Sequence, residues 1–466
     1  MSTAVDHQGT APGSEDAGYV QSLGNRQVRM IAIGGAIGVG LFLGAGGRMA
    51  AAGPGLVLSY AVCGIAAFFV MRALGELVLH RPSAGSFVTY AREFIGPWAG
   101  FASGWMYWLN WAMTGVAETT AAGIYVHKWL PQIPQWVTAL VALAVLLAVN
   151  LLSVRLFGEL EFWFAVIKVL AIVVFLFVGV ALVLTGAGVG HDGHAGLSNL
   201  TAHGGFLPHG VPIVLMSLQA VVFAYSGIEM VGIAAGETEN PRKVLPGAIG
   251  SVIWRIGVFY VGSVLLLAMI LPWTVYSANE SPFVTVFSRL GVPGAGDIMN
   301  AVVLTAALSS CNSGLYSTGR VMRALAVKGE APSFVGRMSG RHVPYGGILF
   351  TSIVLLLGVV LNYVVPKMAF DIATSIASLG VVAVWVTLIG CQLRLRSRAN
   401  RGEIERPPFR MPWAPVSNWA TLGFLALVVI LMAFADTANK IAFWCLPAVA
   451  VVLFAGWRVV RNRRTP

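Results

Sequence analysis

Three ionisable side chains stand inside long apolar runs of this 466-residue chain: Glu118 in VAETTAA, Lys168 in FWFAVIKVLAIV and Glu229 in YSGIEM. A charge in such surroundings costs desolvation, which suits a group that gains and loses a proton during a working cycle. Lys168 reads as such a group, or as a fixed strut bonding to carbonyls of the first apolar run. Glu118 and Glu229 read as further protonatable groups, or as acids that gate or join helices. Arg72 and Glu76 lie four apart, so on a helix they share a face and can neutralise each other. Glu159 and Glu161 fall in the first turn of an expected helix, where acids suit the N-terminus and act locally.

The backbone offers a second kind of chemistry. Ile31 to Gly46 reads IAIGGAIGVGLFLGAG, with Gly34, Gly35, Gly38, Gly40, Gly44 and Gly46 in one apolar run. Glycine costs roughly 1 kcal/mol against alanine in an exposed helix interior, so this density is a poor way to build a plain anchor. Gly38-Val39-Gly40 marks a break partway across a membrane. The half-helix after it would present free N–H groups, backed by the positive end of its dipole, to a carboxylate. Close packing of small residues is the alternative use of Gly34/Gly38 and Gly40/Gly44. A later run, VVFAYSGIEMVGIAAGETENP, repeats the pattern with Gly227, Gly232 and Gly236. Interrupted helices at corresponding positions of two inverted halves point to a transporter's binding site, and this favours the binding reading of both.

These residues need long spanning elements to position them. The chain is 57% hydrophobic and only 11% charged, with mean hydropathy +0.79, which excludes an ordinary soluble globule. Apolar runs predict twelve spans, over 28–50, 55–79, 97–127, 135–153, 157–185, 211–236, 247–271, 296–327, 344–362, 369–393, 416–435 and 441–460. The first and sixth spans are five apart, so they cross in opposite directions. Odd-numbered loops carry Arg48, Lys128, Arg289, Lys367 and Lys440, and spans hold Arg72 and Lys168. The tails and even-numbered loops, with their flanking turns at the span ends, carry the remaining Lys and Arg, which puts both termini in the cytoplasm. The net charge of +11 is therefore a topology signal and not a nucleic-acid patch. Residues 1–27 read as a disordered cytoplasmic tail, 28–393 as the transport core, and 394–466 as the last two helices with a basic cytoplasmic end. The segments after spans six and eight read as basic interfacial helices.

His191, His194, His203 and His209 lie in a Gly- and Pro-rich loop, 186–210, with no rigid element to hold a metal. Cys63, Cys311, Cys391 and Cys445 have no metal-ligand spacing and read as small buried hydrophobes. No HExxH or GxSxG pattern supports an enzyme, and no polar stripe or filter ring supports a channel.

GNRQVRMIAIGGAIGVGLFLGAG, RALGELVLHRPSAGSFVTYAREF, FWFAVIKVLAIV, the break before GETENP, and LTAALSSCNSGLYSTGR resemble the bacterial amino acid transporter family of the amino acid–polyamine–organocation superfamily. The resemblance runs from about Gly24 to Arg461. Within the family, GGFLPHG, SVIWRIGVFYVGSVLLL and SPFVTVFSRLGVP look most like the L-asparagine permease group. This implies an all-α polytopic membrane protein of 12 transmembrane helices. It would form a five-plus-five inverted repeat (LeuT-type) with helices 1 and 6 broken, in the cell (inner) membrane, as monomer or homodimer. It further implies import of an amino acid with protons, with no cofactor beyond the proton gradient and no bound metal.

Ile37, Gly38, Val39 and Gly40 then match the family's site for the substrate α-carboxylate, and carbonyls of Phe223, Ala224 and Tyr225 its α-amino site. Lys168 matches a lysine that replaces a bound ion in proton-coupled relatives. Many members carry Thr or Ser where this chain has Val39, which removes a side-chain hydroxyl but leaves the backbone N–H groups. Thr114, Glu118, Ser226, Asn312 and Ser313 are expected to line a side-chain pocket suited to a carboxamide.

Overall fold

Where they are described, the apolar runs are mainly helical in a computed structural model, which describes residues 37–464 apart from 83–85, 153, 191–192, 231, 233–246, 248, 251–253, 255 and 341. Helices satisfy their own backbone bonds, the requirement that lipid imposes on any spanning segment. In chain order the helices are α1 (Val39–Phe42), α2 (Gly44–Ala52), α3 (Leu56–His80), α4 (Ser86–Phe94), α5 (Pro97–His127), α6 (Gln135–Leu152), α7 (Val154–Thr185), α8 (Gly210–Met216) and α9 (Leu218–Ala224). A π-helical stretch over Ile256–Gly262 leads into α10 (Ser263–Ile270). The rest are α11 (Pro282–Ser288), α12 (Ala295–Val327), α13 (Tyr345–Val364), α14 (Pro366–Asn400), α15 (Val416–Met432) and α16 (Thr437–Arg464). Proline opens α5, α11 and α14 in the first turn, where its missing N–H costs nothing. Among the described residues, seven helical stretches are long and apolar enough to cross a membrane. Three shorter apolar helices, Gly210–Ala224, Ile256–Ile270 and Val416–Met432, accompany them.

The core sits around α5, which packs most extensively on α14 and α12. Outside that centre, α7 and α16 expose large apolar side chains such as Phe177, Leu184, Trp444 and Val452. A rim of this kind is stable only against lipid tails. The protein is a multi-pass membrane protein.

Several expectations are corrected. Arg72 and Glu76 make no direct ion pair, although Glu76 still acts electrostatically on Arg72. Glu76 is fully buried and accepts from Arg406 Nε (2.6 Å), Gln392 Nε2 (2.8 Å) and the Met411 N–H (2.9 Å). Arg72 instead donates to the Arg410 carbonyl and lies over the Phe409 ring at 3.6 Å. The polar segment 401–415 therefore folds back onto α3, and α14 runs to Asn400, past the expected span end at 393. The basic segment after span eight is no separate interfacial helix, because α12 runs straight through Arg320 and Arg323 to Val327. Helix α4 has no counterpart in the sequence reading. Gly34, Gly35, Gly236 and the segment after span six lie outside the described residues.

In the 186–210 loop, His209 Nδ1 lies 2.7 Å from the Ala51 carbonyl oxygen, and the His203 carbonyl accepts from Trp273 Nε1. These contacts tie the loop to the ends of α2 and α10.

Candidate binding site

Gly38 is extended (φ −137°, ψ −162°) and caps α1, whose helical turn starts at Val39. Helix α1 therefore starts at Val39, and that residue's N–H points out of the helix end. The oxygen nearest it is Glu118 Oε1 of α5, at 3.5 Å. A methyl group on Gly38 would stand 2.7 Å from the same oxygen, so a larger residue there would push the carboxylate aside. Ser310 of α12 closes the other side, its Oγ 3.2 Å from that methyl position.

The second break follows α9. Helix geometry ends at Ala224, turns run through Glu229, and Gly227 takes φ +91°, a left-handed conformation costly for residues with a Cβ. The Ser226 N–H donates to the Phe223 carbonyl at 2.9 Å. Among the described residues no backbone N–H donates to the carbonyls of Ala224 or Tyr225, which are left as acceptors at the break. The two breaks touch: a Cβ on Gly40 would lie 2.5 Å from Ala224 Cα. The N-terminal donors of α1 thus lie close to the free acceptors after α9, and a zwitterion requires both kinds of partner.

Beside the breaks, Asn110, Thr114 and Glu118 of α5 recur every four residues and form one buried polar row. Asn110 Nδ2 donates to Ser226 Oγ (3.3 Å), and the Thr114 hydroxyl donates to Asn110 Oδ1 (3.4 Å). A cavity of about 370 Å³ leads to this region, with Gly40, Leu43 and Phe223 at its inner end. At its mouth Arg48 bridges Asp436 (3.0 Å) and Asp371 (3.4 Å). Burial pushes the Asp436 carboxyl up, but Arg48 and Asn439 outweigh it and hold it below the usual carboxylate range.

The amino acid permease family model matches residues 27–466 of the chain. The chain belongs to the amino acid permease family. It is 55% identical over 458 residues to an L-asparagine permease of Streptomyces coelicolor, covering 98% of this chain and 94% of the relative. An Escherichia coli L-asparagine permease is 54% identical over 453 residues, covering 97% and 90%. An L-asparagine permease 2 of Mycobacterium tuberculosis is 55% identical over 457 residues, covering 97% and 93%. A permease moves its substrate and does not transform it, so this member is a transporter and not an enzyme.

Not every expected site residue of this permease falls at the breaks. Ile37, Gly38, Val39, Gly40, Thr114, Glu118, Phe223, Ala224, Tyr225 and Ser226 do gather there. The Tyr225 side chain, however, points away, donating from its hydroxyl to the Tyr60 carbonyl (2.9 Å) and stacking on Tyr260. Asn312 does not face the breaks. Its Oδ1 accepts from Asn150 Nδ2 of α6 at 2.8 Å, because successive helix residues turn by a quarter of the circle and it is Ser310 that meets Gly38. Glu229 is fully buried near Tyr107 and Trp385. Tyr107 lies eleven residues before Glu118, about 16 Å along α5 at 1.5 Å per residue, so Glu229 is remote from the first break.

Lys168 is fully buried on α7 with Nζ 3.9 Å from Glu161 Oε1. Glu161, read from sequence as a local first-turn acid, is itself fully buried, while Glu159 is exposed. Asn110 was missed altogether; its only sequence signal is the four-residue spacing to Thr114 and Glu118.

Proposed function

We propose that this permease imports L-asparagine by proton symport, through twelve transmembrane helices in a five-plus-five inverted repeat with both termini in the cytoplasm. The observation that carries the reading is the Glu118 carboxylate resting against the Val39 N–H at the first break. That donor suits the substrate's own α-carboxylate. Two carboxylates at one donor cannot both stay ionised at low cost, so a proton must arrive with the substrate or Glu118 must withdraw. Binding and protonation are linked at a single atom pair.

In this reading Gly38, Val39 and Gly40 hold the α-carboxylate, and the carbonyls of Ala224 and Tyr225 hold the ammonium. Asn110, Thr114 and Ser226 face the side chain. A carboxamide satisfies such a row of amide and hydroxyl groups without a fixed charge, whereas leucine or valine would leave them buried and unpaired. Lys168, electrostatically coupled to Glu118, passes the proton on. The names and identity of the relatives support asparagine as the substrate.

Uptake of labelled asparagine into proteoliposomes tests this. An inward proton gradient should drive accumulation, and asparagine should win a twenty-amino-acid competition panel. Transport only against internal amino acid would make the protein an exchanger and overturn symport. Glycine, D-alanine or D-serine winning the panel would overturn the substrate.

A further inference from the structure

Glu161 is a buried acid on α7 that the binding reading leaves without a task. It shares the buried face of α7 with Lys168, seven residues and two turns away. Ser309 Oγ of α12 donates to its Oε1 at 2.8 Å. Its other oxygen, Oε2, makes no hydrogen bond of good geometry among the described residues, and neither do Asn150 Oδ1, Asn312 Nδ2 and Ser313 Oγ, although the Asn312 and Ser313 side chains stand near enough to act on the carboxylate. These atoms come from α6, α7 and α12, which pack together, and Asn150 and Asn312 are bonded to each other. Buried polar atoms are rarely left unsatisfied, and two acceptors, a donor and a hydroxyl are what an ordered water needs.

Lys168 interacts electrostatically with both Glu118 and Glu161. Glu161 lies two turns nearer the start of α7 than Lys168, with Nζ and Oε1 3.9 Å apart, and Glu118 stands at the first break. Lys168 is the charged group facing Glu161 among the described residues, and α6 and α12 contribute the amides and hydroxyls named above.

We infer that Glu161 is the inner proton acceptor of the transport cycle, with Asn150, Asn312 and Ser313 forming the hydrated exit beside it. This rests on the symport reading and extends it. Protonated Lys168 gives a proton to the Glu161 carboxylate and becomes a neutral amine. It then takes the proton carried by Glu118, so that Glu118 ends ionised, Lys168 unchanged and Glu161 protonated. Glu161 releases that proton to water in the exit. Substrate never touches Glu161, so its loss should spare steps that move no net proton.

The test uses the full chain in proteoliposomes, with asparagine counterflow at equal pH and gradient-driven accumulation measured side by side. Glu161→Gln should keep counterflow within about threefold, lose accumulation by about tenfold or more, and no longer respond to internal pH. Loss of both activities together, or of neither, would overturn the proposal. Should Glu161→Gln fail to fold, Glu161→Asp decides, because it keeps the charge but draws it back from Lys168. Its internal-pH profile should be displaced with counterflow intact, and a profile matching wild type would overturn the relay. If wild type itself ignores the proton gradient, the symport reading falls first. A coupled wild type with a coupled Glu161→Gln variant overturns this inference alone.

Discussion

Gly40→Ala tests whether the two broken helices must touch. The added Cβ would lie 2.5 Å from Ala224 Cα and 3.1 Å from Ala224 N, and ordinary contact begins at 3.4 Å. The obstacle is backbone and no side chain can swing aside, so the breaks must separate by about 1 Å. Overpacking of this kind costs about 1–3 kcal/mol. A misplacement of about 1 Å between groups that must act together costs on the order of 10–100-fold in rate. Gly44→Ala is the control on the same span, since its Cβ would meet Val39 O at 3.7 Å and Phe370 Cε1 at 4.0 Å, which is ordinary contact. Initial rates of labelled asparagine uptake in proteoliposomes, with thermal stability of the detergent-solubilised protein alongside, should show Gly40→Ala strongly impaired and Gly44→Ala near wild type. Equal rates for Gly40→Ala and wild type would refute the close approach as a requirement.

Three further outcomes follow from contacts away from the breaks. Glu76→Ala strands the Arg406 guanidinium, the Gln392 amide and the Met411 N–H, and should lower stability by about 3–5 kcal/mol, read as a thermal shift. Asp436 is held below the usual carboxylate range, so its bridge to Arg48 is fully formed above that range and is lost only as pH falls beneath it. Asp436→Asn should therefore leave the shape of the uptake profile unchanged between about pH 5 and 8, with less than about 1 kcal/mol lost in stability. Thiols placed at the exposed positions Ala202 and Asn400 should label from outside and only from inside respectively, as the charge asymmetry requires.

Much of this architecture is legible in the sequence because lipid imposes long uninterrupted apolar runs. The run over 97–127 coincides with α5 to the residue, and the glycine cluster at 38–40 spans the extended Gly38 and the start of α1 at Val39. What the sequence hides is which face of a helix meets which partner. Glu161 reads as a first-turn acid when the helix is taken to start at 157, but α7 starts at Val154 and turns Glu161 inward while Glu159 stays exposed. Asn110 sits among tryptophans in WMYWLNWAM and passes for a helix-packing residue until Ser226 is brought against it. The four-residue spacing of Arg72 and Glu76 puts them on one face, yet the segment 401–415, more than three hundred residues away in sequence, supplies better-placed donors and acceptors. Tertiary partners of this kind leave no local periodicity to read.

The link between substrate and proton at the first break is most directly measured as proton uptake on binding. Calorimetry of asparagine binding in buffers of differing ionisation enthalpy reports the protons taken up per asparagine bound. The account predicts close to one proton for wild type and close to none for Glu118→Gln, whose amide already carries no charge to neutralise. Equal proton uptake by the two proteins would contradict it.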